Sequence, residues 1–101
     1  MAATPKNLFR GAATTNTATT LYTTPASTTT VVSNIAVTNT SASNQTYTLS
    51  LNSTALATTV TINANSTVFI DLKQVLVATN LIQGGASATS VNFHIGGVEI
   101  A

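Results

Sequence analysis

The sequence predicts an all-β protein, a single antiparallel β-sandwich, and three observations lead there. Threonine alone is about a fifth of the 101 residues, and with Val and Ile it makes β-branched side chains dominant. Such side chains are stiff at χ1 and fit a pleated sheet better than a helix. From residue 18 onward, apolar and polar residues alternate with period 2. Clusters of Gly, Pro, Asn and Ser break that alternation at roughly 8–12-residue intervals, the spacing of short strands in a sandwich.

Taken in order, residues 1–17 stand apart. Two of the three cations, Lys6 and Arg10, lie there in PKNLFRG, around the adjacent large apolar residues Leu8 and Phe9. TNTATT then runs on without periodicity, so the segment reads as an extended N-terminal arm ending in a small apolar plug. Lys6, Leu8, Phe9 and Arg10 are its candidate partner-binding residues. The β-sandwich domain is expected over 18–101. Leu21 and its neighbours make a first strand, stopped at Pro25. A second covers roughly 30–39, with Val31, Ile35 and Val37 on one face and Ser33 interrupting them. TSASN is a turn of residues that bond their own backbone. Tyr47, Leu49 and Leu51 then alternate with Thr46, Thr48 and Ser50, the clearest strand in the chain. Val60 and Ile62 repeat the pattern, NANS turns, and Val68, Ile70 and Leu72 face inward with Phe69 opposite.

Over 72–80 helical spacing competes: Leu72, Val75, Leu76 and Thr79 fall at i, i+3, i+4 and i+7, which predicts one helical turn between strands. Leu81 and Ile82 form a short strand ended by Gly84-Gly85. In the last strand Val91, Phe93 and Ile95 share a parity, whereas Val98 and Ile100 take the other. A strand cannot exchange its buried face without an inserted residue, so Gly96-Gly97 reads as a β-bulge or bend. The total is about seven short strands in a sandwich of immunoglobulin-like or jelly-roll type.

Charge is nearly absent, at 5% of residues against 44% hydrophobic. Disorder needs the opposite balance. Nucleic-acid binding needs clustered Lys and Arg, and only Lys6, Arg10 and Lys73 exist, so no nucleic-acid partner is expected. No run approaches the ~20 apolar residues of a membrane span, so no membrane partner is expected either. Cysteine is absent, which removes disulfides and thiolate metal sites. MAATPKNLFRGAATT lacks the apolar core of a signal peptide, and assembly in a cytoplasm is expected. A net charge of +1 suits a chain packed among neighbours, and edge strands without Lys or Pro guards would be covered by them.

Chemistry has little to work with. Asp71 and Glu99 lie at strand ends, and nothing in their spacing pairs them for acid–base work. His94, the single histidine, cannot build a zinc site without further His or Cys. A His94–Asp71–Ser triad would be the only one available, and no GxSxG setting surrounds a serine. Neither Gly84-Gly85 nor Gly96-Gly97 is followed by the Lys-Ser/Thr of a phosphate loop. No enzyme activity, catalytic residue, metal or cofactor is expected. The Thr-x-Thr pairs have no common period, as an ice-binding ladder would require.

TTLYTTPASTTTVVSNIAVTNTSASNQTYTLSL resembles a segment of small virion proteins of tailed bacteriophages: Leu-Tyr-x-x-Pro-Ala, a polar turn, a Val-rich strand, Val-Thr-Asn and another alternating strand. VNFHIGGVEIA is similar to their closing strand, and INANSTVFIDLKQVLVATNLI to their middle, with Asn63 and Asn80 where Pro and Asp are common. The resemblance implies a β-sandwich structural protein of a virion, assembled in the host cytoplasm. The expectation is a capsid decoration (cement) protein that stabilises the outer head shell. A tail, neck or baseplate adaptor and a carbohydrate-binding adhesin module are its alternatives. Implied partners are the major capsid protein or other virion proteins, with self-association to a trimer or higher. Removal of residues 2–10 is then expected to abolish attachment while leaving the sandwich folded.

Overall fold

In the computed structural model, which describes residues 2–101, the alternation resolves into eight strands. They are β1 (Ala3–Ala12), β2 (Thr20–Thr23), β3 (Thr29–Asn39), β4 (Gln45–Leu51), β5 (Thr54–Ile62), β6 (Thr67–Leu76), β7 (Leu81–Ala86) and β8 (Val91–Ile100). All pairings are antiparallel. Sheet A has the order β1-β8-β3-β6 and sheet B the order β2-β7-β4-β5. Val32, Ile35 and Val37 of β3, Leu49, Ile62, Ile82, Val91 and Phe93 are fully buried between them. Each such side chain contributes about 1.5–3 kcal/mol by leaving water. Tyr47 and Leu49 point inward as their alternation predicts, and Phe69 lies outside, 78% exposed.

The N-terminal segment is not a free arm but part of a sheet. Residues 3–12 of the 1–17 segment are a full strand, paired with β8 from Ala3↔Ile100 to Ala12↔Asn92; Met1 lies outside the described residues. Register shifts between Asn7 and Phe9, so Leu8 is an inserted residue opposite β8. An inserted residue puts two consecutive side chains on one face. That is why Leu8 and Phe9, adjacent in sequence, both reach the core: Leu8 is only 7% exposed and Phe9 packs against the buried cluster.

A matching bulge sits on the other side of β8. Register between β3 and β8 shifts between Val32 and Asn34, which makes Ser33 the extra residue. Val32 therefore takes the inward place expected for Val31, and Ser33 and Asn34 both face out. β8 itself keeps one parity throughout, with Val91, Phe93, Ile95 and Gly97 all buried. The irregularity inferred at Gly96-Gly97 thus lies beside the glycines, in β1 and β3. No glycine has positive φ. Gly97 is required for space: a Cβ there would stand 2.3 Å from the Val31 carbonyl oxygen and 3.0 Å from Leu8 Cδ1.

Two further expectations fail for related reasons. The helical turn over 72–80 is absent because β6 continues to Leu76 with Val68, Ile70, Leu72 and Leu76 inward. Val75 is exposed on the outer face while Leu72 and Leu76 face inward and Gln74 between them is exposed, so apolar residues from the two faces together imitate helical spacing. Gly84-Gly85 does not end β7, which runs on to Ala86. The segment joining β1 to β2 lies along β7 there, with Thr14 O accepting from Ala86 N at 2.9 Å and Thr19 O from Gly84 N at 2.9 Å. A Cβ on Gly85 would stand 2.5 Å from the Asn16 carbonyl oxygen.

Candidate functional site

The outer face of sheet A carries most of the chain's few charges, and strand register arranges them in rows. Arg10, His94, Ala36 and Phe69 stand side by side across β1, β8, β3 and β6. The next row toward the C-terminal end of β8 is Asn7, Gly96, Asn34 and Asp71. Beyond it come Pro5, Val98, Val31 and Val75, an apolar row on the solvent side of the sheet. Val98 and Ile100, whose parity looked like a change of buried face, are half-buried members of this outer apolar end.

Where the two bulges flank Gly96, the face is dented. The depression has a volume of about 470 Å³ and is lined by Lys6, Asn7, Arg10, Asn34 and His94 over a Gly96-Gly97 floor. Ser33 Oγ donates to the Gly96 carbonyl at 3.1 Å, which fixes the β3 wall. Arg10 and His94 are exposed, as are Asp71 and Phe69 two strands away. The predicted partner-binding set is therefore divided: Arg10 and Lys6 line the dent, whereas Leu8 and Phe9 turn into the chain's own core.

Glu99 lies on the opposite, inward face of β8, so Asp71 and Glu99 are not paired. Its carboxylate accepts from the Tyr22 hydroxyl and, at 3.2 Å, from Lys6 Nζ. The same Tyr22 hydroxyl meets Thr30 Oγ1 at 2.8 Å. This network joins β2 of sheet B to β1, β3 and β8 of sheet A, and Lys6–Glu99 is the only salt bridge among the described residues. The Tyr22 hydrogen bond holds the Glu99 carboxyl below its ordinary range, with Lys6 assisting, against the opposite push of burial. Burial and the adjacent Glu99 raise the Tyr22 hydroxyl. Sequence spacing gave no sign of this network, because its members are separated by up to 93 residues.

At the far end of the sandwich, Asn39 is completely buried. Its Nδ2 donates to the carbonyls of Ser43, Ile62 and Asn63, and its Oδ1 accepts from Ser41 N and Ser41 Oγ. Among the described residues no three His, Asp or Glu side chains gather at metal-binding range. The exposed large apolar side chains, Leu56, Val60, Phe69, Val75 and Val77, all lie on β5, β6 or directly after β6, along one side of the sandwich. Comparison with family models, with curated proteins and with solved structures gave no match.

Proposed function

We propose that the chain is a non-enzymatic structural protein of a tailed-phage virion, a capsid decoration protein that binds the outer head shell and stabilises it. Strand order carries the reading. The pairs β1–β8, β2–β7, β3–β6 and β4–β5 nest one inside another, so the chain is one long hairpin rolled over into two sheets. That is the pattern of a jelly roll, a fold type common in viral capsid and lectin domains, and it favours the jelly-roll over the immunoglobulin-like alternative. The resemblance of residues 18–101 to small virion proteins points the same way. Outer strand faces of Thr, Ser and Asn, with apolar side chains gathered along β5 and β6, suit a domain that is covered by neighbours.

Attachment then depends on many weak contacts made at once, since each exposed anchor contributes only a few kcal/mol and multiplicity supplies the rest. Quantitative mass spectrometry of purified particles of the encoding phage is the test. A copy number of roughly hundreds, comparable with the major capsid protein, is the expected result. About six or twelve copies, the count of a symmetric ring, would move the protein to a neck or baseplate. Absence from the particle would overturn the virion reading altogether.

A further inference from the structure

We propose that the outer face of sheet A is self-complementary, and that a second copy of the chain docks on it face to face about a two-fold axis parallel to the strands. Such an axis reverses strand order while keeping each cross-strand row at its own height. β1 then lies over β6 of the second copy, and β8 over its β3. Pro5, Val98, Val31 and Val75 meet the same four residues in reverse order, apolar on apolar. Asn7 lies over Asp71 of the second copy, and Arg10 over its Phe69.

Shape and charge both select this arrangement. The dent beside Arg10, Asn7 and His94 is a recess of about 470 Å³. Phe69 is the most exposed large apolar side chain and protrudes from the same face on β6. A two-fold axis along the strands sets that protrusion over Arg10, at the rim of that recess, twice over, as an isologous contact requires. The Arg10 guanidinium then has an aromatic face and the Asp71 carboxylate within reach, a stacking and ion-pairing combination that suits Arg. Lys6 does not compete for Asp71, because it turns to Glu99. The other in-plane two-fold would lay β1 on β1 and run the rows in opposite order, so only one row could meet its own counterpart, whereas the strand-parallel axis matches every row at once.

The area fits a reversible dimer. Four strands about 4.8 Å apart and about ten residues long present roughly 600 Å² per copy, near the lower limit for a specific interface. Tight aligned packing of two such faces is the ordinary geometry of stacked sheets. Arg10 and Asp71 are exposed and take part in no salt bridge among the described residues, so reversing either charge leaves the fold intact.

Sedimentation velocity of the purified chain over a concentration series, with melting curves as a check on folding, tests the proposal. Wild type is expected to show a monomer–dimer equilibrium. Arg10→Asp and Asp71→Arg should each weaken it by at least about tenfold, and the double variant should recover most of the loss. Phe69→Ala should weaken it as well. A chain that stays monomeric, a trimer, a dimer indifferent to these changes, or a double variant no better than the singles would overturn the proposal. So would a dimer abolished by Leu56→Lys on the β5 edge and unaffected at Arg10. Dimerisation of the free chain is independent of any place in a virion, so the two readings fail separately.

Discussion

Asn39 shows how a polar residue can hold a core that has few other means of fixing its ends. It is fully buried and uses both amide atoms, with three carbonyls on Nδ2 and two donors on Oδ1. Removing the amide leaves those buried groups unsatisfied, so Asn39→Ala should cost about 2–4 kcal/mol. Asn39→Asp should be worse, because a carboxylate would face three carbonyl oxygens. Urea denaturation checks both, as lower midpoints at unchanged slope. An Asp variant more stable than the Ala variant would mean that the amide donates nothing. The glycines make a second contrast. Gly97→Ala should strongly destabilise, since its Cβ would overlap the Val31 carbonyl. Gly11→Ala should be nearly neutral, since its nearest neighbour, Phe9 Cζ, would be 3.5 Å away. Neither difference is visible in sequence, where Asn39 reads as the end of a strand and all glycines look alike.

At the scale of strands, alternation was legible wherever it was unbroken. Tyr47 and Leu49, or Val91, Phe93 and Ile95, face inward as their spacing predicts. It failed where a residue is inserted, because parity is a relation between strands and an insertion shifts it without leaving a mark in one strand's own pattern. On either side of the same glycine pair, the alternation points Val31 inward where the structure turns Val32 inward, and it reads Leu8-Phe9 as a plug. Deleting Ser33 should therefore move Val32 and Thr30 to the outer face and abolish the cooperative melt. Ser33→Ala, which loses the bond to the Gly96 carbonyl and the longer one to Asn34 Oδ1, should cost about 1 kcal/mol or less. The dent followed from these insertions, so the candidate site was legible only as Lys6 and Arg10, without His94, Asn34 or Phe69. The Glu99 network between sheets makes a pH prediction. Its folded-state pKa lies below the ordinary value of 4.5, so its stabilisation is present above that value and is lost as pH falls through the depressed one. Tyr22 is raised above 10.0, so its contribution is complete below pH 10 and declines at higher pH. Thermal midpoints should be level between these limits and fall outside them, and Glu99→Gln should remove the acid-side fall attributable to this group.

For the whole molecule, nesting makes the first and last strands close the structure together. β1 is held by β8, some ninety residues away along the chain, and such non-local pairing forms slowly and contributes late. The strand also covers one edge of β8 and supplies Leu8 and Phe9 to the core. Burying Leu8 is worth about 1.5–3 kcal/mol and the half-buried Phe9 adds a fraction of as much, a sizeable share of the ~5–15 kcal/mol that holds a typical domain. A chain lacking residues 2–12 should then be largely unfolded or aggregated, in contrast to an arm whose removal leaves a sandwich intact. Because β1 is an edge strand bonded to one neighbour, the vacated edge should accept the same segment in trans. A synthetic peptide of residues 2–12 should restore the thermal midpoint of the truncated chain, and one with Leu8 and Phe9 replaced by Ser should not. If the truncated chain melts like the full one, β1 is dispensable. If the peptide rescues, the segment can also be lent by one copy to another, which would give the 1–17 segment a bridging role without ever being a free arm.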